Sequence, residues 1–151
     1  MALLNDNDLM LKAIFAKYSE KGIMKKGQFI LMISKLSQRI KELEKLEIER
    51  IEAVFYLVAG DSILDFGEFE RWWLSGSKFL YFTDHDKGSK LQKAYKLYRK
   101  YATEDKIDLE GFLRLVSDLK LRGTPDDFDY LDVDDDGMLS FREFCDWLRW
   151  F

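Results

Sequence analysis

The chemistry in this chain is concentrated between Asp132 and Glu143, in the run Asp-Val-Asp-Asp-Asp-Gly-Met-Leu-Ser-Phe-Arg-Glu. Asp132, Asp134 and Asp136 stand on alternate residues, so a tightly curved loop turns all three carboxylates inward. Gly137 follows directly, where a sharp turn needs a positive φ that a side chain would resist. Ser140 adds a hydroxyl and Glu143 a further carboxylate, three residues beyond that hydroxyl. So many carboxylates within twelve residues repel one another unless a cation neutralises them. A hard cation taking ~6–8 oxygens at roughly 2.3–2.6 Å suits that donor set. An acidic surface turn would need neither the glycine, nor the hydrophobe Leu139, nor the closing glutamate.

By these residues the stretch resembles the calcium loop of the EF-hand, or calmodulin, superfamily. Asp132, Asp134 and Asp136 match its positions 1, 3 and 5, Gly137 position 6, Met138 position 7, Ser140 position 9 and Glu143 position 12. The resemblance implies a single Ca2+ held by Asp132, Asp134, Asp136, the Met138 carbonyl, Ser140 through a water, and both oxygens of Glu143.

Such a loop must lie between two helices, and the chain supplies helical periodicity around it. Apolar spacing predicts helices over about 7–18, 26–36, 47–58, 66–74, 91–101 and 109–119. Thr124-Pro125-Asp126-Asp127 reads as a further helix start, with an N-cap hydroxyl, proline in the first turn and acids facing the dipole. An eighth helix begins at the end of the acidic loop, where Ser140 and Glu143 have capping-box spacing. The charged stretch 37–45 is helix-forming, and 41–50 reads as a solvated face with internal ion pairs. The polar segment 83–90, including Asp84-His85-Asp86, reads as a solvated linker.

The sequence also repeats. Phe66-Gly67-Glu68-Phe69-Glu70-Arg71-Trp72 aligns with Phe141-Arg142-Glu143-Phe144-Cys145-Asp146-Trp147, and Tyr18 with the stretch 29–36 aligns with Tyr101 and 112–119. The expectation is an all-α fold of two EF-hand lobes with four helix-loop-helix hands: residues 1–83 with degenerate loops and 84–151 with one intact calcium loop. The resemblance implies short antiparallel bridges between paired loops, Leu64 facing Met24 and Leu139 facing Ile107.

Three of the four loops depart from the metal-binding pattern. The first carries Glu20 among lysines. The second keeps Asp61, Asp65 and Glu68 but has Leu57 and Ala59 where acids are wanted and Ser62 in place of glycine. The third is acidic (Glu104, Asp105, Asp108, Glu110) but two residues short, and Gly111 occupies its closing position. Weak, non-standard binding in the third loop is left open.

With 151 residues, 47% hydrophobic and 15% aromatic, the chain has ample material for a core. A net charge of −4 and a pI near 5.1 disfavour nucleic acid and steer cations or basic peptides. One cysteine, Cys145, excludes an internal disulfide framework and suits a reducing compartment. No signal peptide, lipidation motif or membrane-length apolar run is visible, so a soluble cytoplasmic protein without membrane contact is expected. A single histidine leaves no His pair for zinc and no Ser-His or Cys-His arrangement, and no phosphate-binding glycine loop appears. An enzyme is not expected.

Phe144, Leu148 and Phe151 form one helical stripe led by Phe141, most simply core. Trp72, Trp147 and Trp150 broaden the aromatic faces beyond what small lobes bury and mark a candidate groove for a partner. The leading expectation is a calcium-responsive regulator that engages an amphipathic or basic helical segment of a partner protein. The alternative resembles the myosin light chains: a constitutive adaptor in which the one calcium is structural.

Overall fold

A computed structural model describes residues 6–40, 46–59, 62–76, 78–103, 105–132 and 135–149. Among these residues the chain is mostly helical, with nine helices and four strands of two or three residues. The order is α1 (Asp6–Tyr18), β1 (Ile23–Lys25), α2 (Lys26–Ser37), α3 (Ile48–Ala59), β2 (Ile63–Asp65), α4 (Phe66–Leu74), α5 (Leu80–Thr83), α6 (His85–Tyr101), β3 (Ile107–Asp108), α7 (Leu109–Asp118), α8 (Pro125–Leu131), β4 (Met138–Leu139) and α9 (Phe141–Leu148).

A helix–strand–helix unit therefore occurs four times, with α5 standing outside the repetition. The local cause is visible at each strand-to-helix junction. Asp65 accepts from the Glu68 amide at 2.8 Å while Glu68 Oε1 accepts from the Asp65 amide at 3.1 Å. Ser140 and Glu143 repeat that reciprocal cap, and Asp108 accepts from the Gly111 amide at 2.7 Å. Each cap satisfies amides that the first helical turn leaves without partners.

The strands pair antiparallel in two sheets, β1 with β2 and β3 with β4. Met24 lies opposite Leu64, and Ile107 opposite Leu139, which is the facing that the resemblance implied. All four side chains are fully buried.

The linker expected over 83–90 is instead helical. The single turn α5 gathers Phe79 and Phe82, and α6 starts six residues before Leu91. Asp84 caps it by accepting from the Lys87 amide at 3.1 Å, and Asp86 pairs with Lys90 at 3.2 Å one turn on. Gly88 is buried here: a Cβ at this position would overlap the carbonyl oxygen of Tyr81 and crowd the Arg50 guanidinium. Polar composition thus concealed a helix start.

Two other expectations change. α2 ends at Ser37, so the helix-forming segment does not extend it, and residues 41–45 fall outside the described residues. The charged start of α3 is not simply solvated. Gln92 of α6 donates to Glu47 at 2.6 Å and Glu49 at 3.0 Å and accepts from Arg50 at 3.0 Å. Tyr95 donates to Glu52 at 2.8 Å. These bonds, with Tyr56 stacked on Tyr95 (centroids 5.8 Å apart), join the first half of the chain to the second.

Candidate metal site at the fourth loop

The loop leaving α8 is wound around Asp132, whose side chain is 6% exposed. Its Oδ2 accepts from the Gly137 amide at 2.8 Å and its Oδ1 from the Asp136 amide at 3.3 Å. Gly137 takes φ +77, the left-handed conformation the sequence reserved for it, and Asp135 takes φ +53. Asp136 accepts from the Met138 amide at 3.0 Å, which feeds the chain into β4. Asp134 falls outside the described residues.

Electrostatics separates Asp132 from Asp136. Burial first, and the adjacent Asp136 carboxyl besides, push the Asp132 carboxyl above the usual carboxylate range, against the pull of the Gly137 and Asp136 amides. Asp136 is held below that range. Burial opposes its charge, but the Lys106 ammonium, the Met138 amide and Asp132 outweigh it. Lys106 Nζ lies 3.0 Å from Asp136 Oδ2, a cross-loop ion pair that motif reading missed. The available signal was a lysine placed directly before Ile107, the third-loop residue that pairs with the fourth loop.

Ser140 and Glu143 sit at the loop's exit. Ser140 Oγ accepts from the Glu143 amide at 3.2 Å, and Glu143 Oε1 accepts from the Ser140 amide at 2.9 Å. In this arrangement the closing glutamate caps α9. Among the described residues no group of three or more His, Cys, Asp or Glu side chains is gathered closely enough to hold a metal ion. Asp132 and Asp136 are brought together, Met138 stands in β4, and Ser140 with Glu143 forms the helix cap.

The remaining loops are accounted for by packing. In the third, Tyr98 sets its hydroxyl 2.6 Å from the Asp105 carbonyl and 2.9 Å from that of Leu139, so one buried phenol ties both paired loops down. A Cβ on Gly111 would lie 2.7 Å from the Tyr101 carbonyl, so the shortened loop has no room for a glutamate at its closing position. In the second, Glu68 is spent on the α4 cap, as Glu143 is on α9.

The tryptophans pack more closely than a free groove would require. Trp72 lies 5.5 Å from Phe29 and 6.2 Å from Phe69, and Trp147 lies 5.2 Å from Phe112. Both are half-buried against the core. Trp150 and Phe151 fall outside the described residues. Cys145 is buried, and burial pushes its thiol far above the ordinary range, consistent with a packing residue. No described helix is long and apolar enough to cross a membrane.

The chain matches no model of a known protein family, and no characterised protein matches its sequence closely enough to be informative.

Proposed function

We propose that this protein belongs to the EF-hand superfamily and is a calcium-binding regulator that engages a helical segment of a partner protein. The observation that carries the reading is the pair Asp132–Asp136. A buried carboxylate with a raised pKa is turned beside a second carboxylate around a positive-φ glycine, in a loop whose donors are all hard oxygens. An acidic turn with no cation to hold gains nothing from burying Asp132. Asp132, Asp134, Asp136, the Met138 carbonyl, Ser140 and Glu143 are the ligand set, and Ca2+ would supply the positive charge their carboxylates lack.

The response is built into the chain's own residues. Glu143 stands in the first turn of α9, and Phe144 and Trp147 follow on that helix. Redirecting the Glu143 carboxylate releases the Ser140 amide, frees the helix to tilt and loosens the contacts of Trp147 with Phe112 and Phe144. The exposed aromatic surface is the partner's groove.

One observation favours the alternative, a constitutive light-chain-like adaptor with a structural calcium. Lys106 already meets part of the loop's charge from within, so the loop can fold without an external ion. Tryptophan emission and apolar-dye binding, each with and without calcium, separate the two. A calcium-dependent gain in exposed apolar surface supports the regulator; calcium binding without that gain replaces it by the adaptor. The two-lobe division at 83/84, the absence of catalysis and a cytoplasmic location belong to this proposal.

A further inference from the structure

A second binding surface lies at the opposite end of the sequence from the acidic loop. α1 and α2 enclose a groove of about 600 Å³ whose floor and walls include Ile14, Leu31, Met32 and Leu36. Leu31 is 50% exposed, and Met10, one turn before Ile14 on α1, is 47% exposed. Met10, Ile14 and Lys17 follow the i, i+4, i+7 spacing of one helical face, as do Leu31, Lys35 and Gln38. The two helices thus form a slot with an apolar floor and a polar border that a third helix can fill.

The charge around this groove has one sign. Lys17, Lys35 and Arg39 border it, with no carboxylate among the lining residues. Residues 6–40 hold seven lysines and arginines against three acids, although the whole chain carries −4. Four cations elsewhere meet carboxylates: Lys90 with Asp86, Lys96 and Arg99 with Glu49, and Lys106 with Asp136. Among the described residues no carboxylate pairs with Lys17, Lys35 or Arg39, and Lys17 lies only over the Tyr18 ring. Solvated lysines would give solubility, but here they border the exposed Leu31 and a slot lined by Ile14 and Leu36.

We infer that the α1–α2 groove docks an acidic amphipathic helix of a partner protein, with its aliphatic residues in the slot and its carboxylates on Lys17, Lys35 and Arg39. This chemistry is opposite to that expected from net charge, because steering by the whole chain favours a basic peptide whereas contact in the groove selects an acidic one. A concave slot between two helices suits a helix with projecting side chains better than a flat lipid surface. Docking here is independent of the fourth loop and does not rest on calcium binding.

The test uses the full chain and a labelled synthetic peptide of about sixteen residues, near 24 Å of helix, with leucines at i, i+3, i+4, i+7 spacing and glutamates elsewhere. Fluorescence anisotropy should show saturable binding that weakens as salt is raised and is unaffected by Glu143→Gln. Combining Lys35→Glu with Arg39→Glu, both exposed and so harmless to the fold, should weaken it about tenfold or more. The same double variant should gain affinity for the peptide with lysines in place of glutamates. Leu31→Ser should weaken the acidic peptide without reversing charge preference. The inference is overturned by absence of saturable binding, by equal binding of acidic and basic peptides, or by indifference to charge reversal. It is also overturned by stronger association with phosphatidylserine vesicles than with the peptide, or by self-association that buries Leu31.

Discussion

At the scale of the residue, Asp132 sets the cost of burying a carboxylate against the bonds it accepts from the Asp136 and Gly137 amides. Its raised pKa means that the folded state prefers the protonated acid. The stability it contributes is therefore present at low pH and lost as pH rises through its folded pKa. Asp132→Asn removes the charge, keeps an acceptor for the Gly137 amide and offers Asp136 a donor. We expect this variant to melt higher than the parent in chelator at neutral pH, with the gap closing on acidification through the carboxylate range. Calcium should stabilise the parent and leave the variant unchanged; a lower melting temperature for the variant in chelator would mean that Asp132 is a structural residue. Ser140 has the opposite balance. Ser140→Ala removes the hydroxyl that caps α9 and should cost about 1 kcal/mol in urea denaturation.

At the scale of the element, close approach decides what composition leaves ambiguous. Gly88→Ala would drive a methyl group into the Tyr81 carbonyl where α5 meets α6. We expect a loss of about 1–3 kcal/mol by urea denaturation, typical of overpacking, against a few tenths of stabilisation if this were an open helical surface. The helices that carry apolar periodicity were legible: α4 begins at Phe66 and α7 at Leu109, as their spacing predicts. The facing of Leu139 and Ile107 was legible only through the resemblance, with which the hydrophobe positions agree. The start of α6 was not, since Thr83 to Lys90 is polar and glycine-containing, and only the Tyr81 contact reveals why that glycine is present. The turn at Gly137 was legible in the acidic run, but the counter-charge from Lys106 depends on the register between two loops, which a motif does not contain.

At the scale of the whole molecule, the two halves of the chain touch through specific bonds. Arg142, next to the closing glutamate, reaches back across more than eighty residues to donate to the carbonyls of Leu57 at 2.9 Å and of Val58. With Gln92 bound to Glu47 and Tyr95 to Glu52, it makes α3 a shared wall of both halves. A single unfolding transition is therefore expected by calorimetry, with Arg142→Ala lowering stability by about 1 kcal/mol; two resolved transitions would mean that the halves fold separately. Arg142 also places any movement at Glu143 next to the second loop, where Asp65 and Glu68 are engaged in capping. On the proposed function any calcium response begins at Asp132–Glu143, and calorimetric titration of the chelated protein with calcium tests that claim most directly. One ion per chain is predicted, binding along a simple hyperbola with Kd of ~10⁻⁷–10⁻⁵ M, and Glu143→Gln should abolish or greatly weaken it. The claim is contradicted if no calcium binds, if binding is steep with more than one ion, or if Glu143→Gln leaves stoichiometry and affinity unchanged.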